Sequence, residues 1–321
     1  MDFAFSDEQE QLRREARTFL ADRYPADRVA ELADSEEGWD PSSWRELAEL
    51  GWLGVSVPEE ASGAGLGFLE EAVLFEELGR ALYPGPYFST VALALPELPS
   101  DQQREVVSGD VRWSASLDGS LVPDLAIVDR VLVARDGKLW AVAAAGETLD
   151  TMDSTRRMGK LADSSGGDEV GGADAIERMR LRAFTALALE AVGISQRALE
   201  LAIEHVKTRE QFGKPIGIYQ AISHRLADAY AYTELARSLA YWAAWCVSEQ
   251  DDESAVAAAS AKSYAGDVAV TVCEYAIQAH GGIGFTWEHP LHRYYKRAQW
   301  ILGYGGFPAA QRAEVAAAVL G

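Results

Sequence analysis

The stretch Gln278-Ala279-His280-Gly281-Gly282-Ile283-Gly284-Phe285-Thr286-Trp287-Glu288-His289-Pro290 closes an alanine-rich helical run and opens a glycine-rich turn. Glycine pairs at a helix end let backbone amides approach a ligand closely, because no Cβ stands in the way. Upstream lies a second segment, Thr208-Arg209-Glu210-Gln211-Phe212-Gly213-Lys214-Pro215-Ile216. It sets a cation, an amide and an aromatic ring side by side, a combination suited to a pyrophosphate joined to a planar ring. The bland alternative is a helix-connecting turn whose Arg209 sits in a surface ion pair and whose Phe212 is core, since short motifs mislead.

The two segments are embedded in helices. From Asp174 one helix is expected to run to Lys207, and a third to span Ser254 to His280 with Gly281 just past its end. Between them Ile222, Leu226, Ala229, Thr233, Ala236, Ala240 and Ala243 recur at four- and three-residue steps. That is a bundle seam whose small residues admit close helix neighbours. Shorter helices are expected near 290–302 and 308–320. Residues 1–95 also read as helical. Ser6 with Gln9 makes a capping box, and Asp40-Pro41 supplies an N-cap and a first-turn proline. A loop over Gly51–Glu59 is extended by Gly63, Gly65 and Gly67, and an amphipathic helix follows from Leu69 to about Leu82. In residues 110–145 the pattern turns β-rich, over Val111–Leu117, Leu125–Ala134 and Leu139–Ala143, with Asp136-Gly137 as a hairpin signal. Residues 162–174 read as an exposed low-complexity loop. No internal repeat stands out.

Arg209-x-Gln211-Phe212-Gly213 and Gln278-x-x-Gly281-Gly282 together resemble the acyl-CoA dehydrogenase family, flavoenzymes that desaturate acyl-CoA thioesters. The resemblance is specific over residues 178–300 and looser over 1–95. It implies a mainly α fold of acyl-CoA dehydrogenase type. An N-terminal helical domain would occupy residues 1–100, a reduced middle β-domain 101–173, and a C-terminal four-helix bundle 174–321. It implies FAD as cofactor, with both segments reaching across a dimer interface to a neighbour's FAD. Arg209 would pair with the pyrophosphate, Gln211 and Phe212 would lie by the adenosine, and Gly213, Gln278, Gly281 and Gly282 would touch the same cofactor. In such enzymes a carboxylate removes the thioester's α-proton while the β-hydrogen leaves as hydride to the flavin.

The departures from the family are as informative. Its C-terminal glutamate corresponds here to Gly305, within Gly303-Tyr304-Gly305-Gly306-Phe307. The family's alternative position, early in the first bundle helix, falls near Ala183 or Phe184. No catalytic residue is therefore assigned; Glu190 is the nearest acid, and an interhelical or surface role is expected for it. A threonine and a glutamine that touch FAD in the family are replaced by Phe307 and Ala309, and the flavin-covering segments of the middle domain are absent. The losses fall on the chain's own active site, while what it would lend to a neighbour is kept. The resemblance thus implies the base-lacking subunit of a heteromeric enzyme, a heterotetramer with a paralogous acyl-CoA dehydrogenase. Actinobacterial enzymes for lipid and steroid side-chain catabolism are built this way. A self-sufficient homo-oligomer with a relocated base, Glu190, and a flavin-free thioester-binding scaffold are the alternatives.

Composition narrows the field further. The chain has 321 residues, 48% of them hydrophobic, enough for a large core. A net charge of −21 repels phosphate backbones and excludes nucleic acid as a partner. No apolar run is long enough to span a bilayer and no basic signal region opens the chain, so a soluble, cytoplasmic protein without a membrane partner is expected. Cys246 and Cys273 lie in apolar helical contexts as inert core thiols, and the histidines lack metal-ligand spacing. His280 is expected to satisfy backbone carbonyls at a helix end, Glu288 and His292 to form a helical pair, and Trp242, Trp245, Tyr294 and Tyr295 to pack.

Overall fold

The computed structural model describes residues 5–321. Ser6 and Gln9 form the expected reciprocal cap at the start of α1 (Asp7–Arg23). A helix absent from the sequence reading, α2 (Ala26–Asp34), follows, then α3 (Pro41–Glu49), with Asp40 Oδ1 accepting from the Ser42 amide. The Gly51–Glu59 loop contains short 3₁₀ turns. α4 spans Phe68–Ala81. Beyond it come a π-helical turn at Phe88–Ala94 and α5 (Ser100–Val107), neither of them anticipated.

α4 corrects the expectation of an amphipathic helix. It is buried on all sides, Glu71, Glu76 and Glu77 included. A buried carboxylate must be paired, and each of these is. Glu71 accepts from Arg182 and from Ser56 Oγ, both at 2.6 Å. Glu76 pairs with Arg237 and accepts from Tyr241 Oη at 2.8 Å, and Glu77 takes a two-pronged contact from Arg17 at 2.9 and 2.6 Å. The acidic residues that look like a solvent face in the sequence are internal anchors.

The β-region holds β1 (Trp113–Ser116), β2 (Leu121–Pro123), β3 (Arg130–Arg135), β4 (Lys138–Ala143), β5 (Gly146–Leu149), β6 (Met158–Leu161) and β7 (Asp168–Gly171). They make a four-stranded sheet in the order β1-β3-β4-β7 and a three-stranded sheet β2-β6-β5. β1 and β3 run parallel, and the other pairings in both sheets are antiparallel. Asp136 and Gly137 turn β3 into β4 with φ of 52° and 72°. The expected strand Leu125–Ala134 is broken by a 3₁₀ turn at Leu125–Ile127, because Asp124 enters the left-handed region at φ 59°. Residues 168–171 pair as β7 inside the segment read as loop.

The bundle consists of α6 (Ala173–Thr208), α7 (Gln220–Glu249), α8 (Ser254–His280), α9 (Leu291–Gly303) and α10 (Pro308–Leu320). The seam holds: Leu226, Ala229, Thr233, Ala236, Ala240 and Ala243 are buried, and Ile222 is half-buried. Cys246 and Cys273 are free and buried, and burial pushes both thiols up, Cys246 to about 11. Among the described residues no helix is long and apolar enough to cross a membrane.

α4 and α6 cross backbone to backbone through two glycines. A Cβ on Gly79 would stand 2.3 Å from the Glu190 carbonyl oxygen, and one on Gly193 would stand 2.0 Å from that of Glu76. Neither neighbour is a side chain that can swing aside. Gly193→Ala is therefore expected to lose at least about 2 kcal/mol of stability by denaturant unfolding. Gly172→Ala, with open space around it, is expected to change little.

Candidate functional site

Two places stand out. The first is the end of the bundle where the C-termini of α6 and α8 meet. The Arg209 amide donates to the His205 carbonyl at 2.9 Å as α6 ends, and β8 (Glu210–Gln211) pairs with β9 (Lys214–Pro215) in a hairpin. Its two-residue turn is Phe212-Gly213, at φ 53° and 74°. Positive φ at both positions matches the right-handed strand twist, and it presents the Phe212 ring 93% exposed. Among the described residues, the aromatic ring that approaches it is that of Tyr219, edge-on at 6.5 Å between centroids. Arg209 is exposed, and its guanidinium makes no ion pair among the described residues. The turn is not the bland one of core ring and paired arginine.

α8 ends at Gly281, at φ 65°, whose amide donates to the Gln278 and Ile277 carbonyls. Gln278 is exposed, and added Cβ atoms on Gly281, Gly282 or Gly213 would meet nothing within 4 Å. The glycines line open space. His280 behaves as expected, with Nδ1 2.8 Å from the Ala276 carbonyl. It also stacks on His205 at 4.3 Å, which brings the hairpin and the glycine turn to one face. Phe285 (76%) and Trp287 (67%) add exposed aromatic surface beside it. The expected Glu288–His292 pair does not form. Glu288 precedes α9 in a turn, held below the usual carboxylate range by the Thr286 side chain, and His292 meets Trp287 edge-on at 4.6 Å. Tyr294 is core, its hydroxyl donating to the Arg80 carbonyl at 2.9 Å, while Trp242, Trp245 and Tyr295 are half-buried.

The second place is a cleft of about 600 Å³ between the β-region and the bundle, walled by Leu121, Met158, Phe184, Trp300, Tyr304 and Gly305. Both positions where a family base would fall lie in it, one against the other. A Cβ on Gly305 would stand 2.5 Å from Phe184 Cε1, and Gly305 itself has φ 67°. Trp300 and Tyr304 stack at 4.8 Å and both meet Phe88 of the π-helical turn. Phe307 is 67% exposed and Ala309 is exposed as well. Asp118, the carboxylate lining this cleft, is tied into its own turn by Ser116 Oγ and the amides of Ser120 and Leu121.

Glu190 is 2% exposed and lies outside the cleft's lining. Arg156 donates to both its oxygens at 2.7 and 2.8 Å, and Arg297 lies 3.8 Å away. Arg297 in turn donates to Asp153 at 2.6 Å and to Thr155 Oγ1 at 2.7 Å. The sequence reading missed this cluster. One signal was available: Tyr294, Arg297, Ala298 and Ile301 share the buried face of α9, so Arg297 interrupts an apolar stripe. Arg156 lies in irregular chain, where periodicity says nothing.

A helical unit, a small pair of sheets and a helical bundle ending in a glycine turn define an acyl-CoA dehydrogenase-type fold. The chain belongs to that family: its N-terminal domain model matches residues 6–107 and its C-terminal domain model residues 172–320. Acyl-CoA dehydrogenase IpdE2 of Mycobacterium tuberculosis is 34% identical over 91% of each chain. IpdE2 of Mycolicibacterium smegmatis is 33% identical over 95% of this chain and 97% of its own. Among solved structures, a variant of the Tcur3481-Tcur3483 steroid ACAD superposes with a TM-score of 0.91 at 29% identity, covering 98% of both chains. The ChsE4-ChsE5 complex from Mycobacterium tuberculosis gives 0.91 at 26%, covering 100% of this chain and 99% of that one.

Two outcomes follow from this geometry. Gly305→Glu forces a side chain into the Phe184 ring at positive φ and is expected to lose about 1–3 kcal/mol by thermal or denaturant unfolding, with part regained when Phe184→Ala makes room. The second concerns Asp124, buried with Ser89 Oγ donating to it at 2.7 Å. Burial raises it from 3.8 to about 6, against the pull of Arg156. A carboxyl raised on folding stabilises when protonated, so its contribution grows as pH falls through 6 toward 3.8 and is lost above. Unfolding free energies from pH 7.5 to 4 are expected to show wild type gaining up to about 3 kcal/mol relative to Asp124→Asn, since a pKa unit is about 1.4 kcal/mol.

Proposed function

We propose that this chain is the base-lacking subunit of a heteromeric, FAD-dependent acyl-CoA dehydrogenase, binding the cofactor jointly with a paralogous partner that contributes the catalytic carboxylate. One observation carries the proposal. The segments that would meet a neighbour's cofactor are exposed and open, while the chain's own cleft has Gly305 wedged against Phe184 where a base would stand. The exposed face fits a dinucleotide: a free guanidinium on Arg209, an unpacked ring on Phe212, an exposed amide on Gln278, and the uncrowded Gly213, Gly281 and Gly282. Arg209 would hold the pyrophosphate by a charge-assisted contact, Gln211 and Phe212 would flank the adenosine, and the glycines would allow close backbone approach. When bound, FAD supplies a hydride acceptor.

Heteromeric relatives support the partner. The ChsE4-ChsE5 complex and the Tcur3481-Tcur3483 steroid ACAD share the fold over nearly the whole chain. The substrate would be an acyl-CoA thioester of bulky, steroid-derived type, handled in the cytoplasm. A self-sufficient enzyme using Glu190 is disfavoured, because both oxygens of that carboxylate are occupied by Arg156. A flavin-free scaffold has no use for an unpaired, exposed arginine beside open glycines.

The chain purified alone is expected to carry little or no yellow cofactor. Co-expressed with a neighbouring acyl-CoA dehydrogenase gene, it should elute as a flavin-bearing complex active in acyl-CoA-dependent dye reduction. In that complex Arg209→Ala should lower flavin occupancy about tenfold or more, from the loss of a contact worth roughly 1.5–3 kcal/mol. Gly282→Val should act in the same direction. Stoichiometric flavin on the isolated chain, retained through gel filtration, would overturn the subunit assignment.

A further inference from the structure

The 5 histidines of the chain all fall between residues 205 and 292. Three of them form a stack. The His205 ring, on the last turn of α6, lies 4.3 Å from that of His280, the last residue of α8, at an interplanar angle of 27°. The His280 ring lies 4.3 Å from that of His289, which precedes α9, at 53°. The stack therefore ties together three chain segments that leave the bundle at one end. Its flanks are the hairpin, entered through the Arg209 amide on the His205 carbonyl, and the glycine turn, whose first residue follows His280. No other side-chain contact in the described residues joins the hairpin's helix end to the glycine turn's by stacked rings.

We infer that His280, clasped between His205 and His289, is a positioning residue that fixes the spacing of the hairpin and the glycine turn, and that it does so only while the stack is uncharged. The inference rests on the dinucleotide reading of this face for its purpose, not for its geometry. Stacked neutral imidazoles attract; like charges 4.3 Å apart repel, and partial burial strengthens the repulsion. The surroundings oppose protonation. Burial first, then His280 and Arg209, lower His205; burial, then His280, His205 and His292, lower His289 to about 4. His292 is itself lowered by burial and by Arg293 and Lys296, against a hydrogen bond to the Trp287 backbone and the pull of Asp34. A histidine lowered on folding stabilises the fold in its neutral form. The contributions of His205 and His289 are thus complete above the ordinary value of 6.5, and that of His289 is lost as pH falls toward about 4.

The test is backbone hydrogen exchange in the full chain from pH 8 to pH 4, corrected for intrinsic exchange. Protection at residues 209–216 and 281–286 is expected to fall at least about tenfold across that window, while the α6–α8 interior stays protected. In His205→Phe/His289→Phe, where His280 lies between uncharged rings, the local fall should disappear. His205→Lys should show the loosened state already at pH 7.5. If the double variant does not fold, imidazole signals of the wild-type chain serve instead: His205 should titrate below 6.5 and His289 near 4, in step with the loss of protection. Equal protection of both segments at pH 8 and pH 4, or a local fall that survives in the double variant, overturns the clasp. Flavin retention by the co-expressed complex over the same pH range separates the two readings. Loss in step with protection supports the positioning role. Protection lost with flavin fully retained refutes the dinucleotide reading of this face.

Discussion

Three parts of the chain meet at Glu190. Its carbonyl oxygen lies against Gly79 of α4, its carboxylate is gripped by Arg156 of the β-region, and Arg297 of α9 stands beside it. A carboxylate taken out of water is expensive to hold, and the attraction of a two-pronged guanidinium returns that expense only when the geometry is good. Removal of either partner leaves an uncompensated charge in the core. The pair is thus less a source of net stability than a condition on arrangement. Helical unit, sheets and bundle satisfy it only in one relative placement, and that placement opens the cleft beside Phe184 and Gly305.

The same logic runs along α4. Its buried glutamates Glu71, Glu76 and Glu77 face three different helices, and each finds its own arginine there: Arg182 on α6, Arg237 on α7 and Arg17 on α1. A helix free to rotate about its axis would break all of these pairs at once. The glycine crossing with α6 removes the remaining freedom, since sliding by one residue would drive a Cβ into a backbone carbonyl. With α4 fixed in rotation and depth, α6 is fixed too, and its C-terminus delivers His205 and Arg209 to the end of α8.

Features read from periodicity or from local caps were legible in the sequence: the bundle helices, the Ser6–Gln9 box, the Asp136-Gly137 turn and the buried seam of α7. The candidate face is named from residue types alone, and Arg209, Phe212, Gln278 and Gly281 all stand exposed on it. What escaped depended on partners distant in sequence. The α4 glutamates look solvent-facing until Arg17, Arg182 and Arg237 are placed against them. Glu190 looks like a spare acid until Arg156, in irregular chain, is found on it. The β7 strand lies in Asp-Ser-Gly-rich sequence, and only pairing with β4 orders it. The approach of Phe184 on α6 to Gly305, in the turn between α9 and α10, involves residues that carry no charge or pattern to announce it.

The two candidate places differ in what they require of the protein. The cleft's departures are energetically undemanding: glycine fits Gly305's positive φ, and Phe184, Trp300 and Tyr304 supply apolar packing. The other face runs against stability. A phenylalanine in the left-handed region stores about 1–2 kcal/mol, and Phe212 does so while burying almost none of its ring. Phe285 and Trp287 stand exposed nearby, and glycines occupy a helix end with empty space beyond their Cα atoms. Local strain and exposed aromatic surface persist where something outside the fold uses them. That difference supports the proposal of a chain whose own cleft has relaxed while its outward face is kept for a second subunit, with the dinucleotide between them.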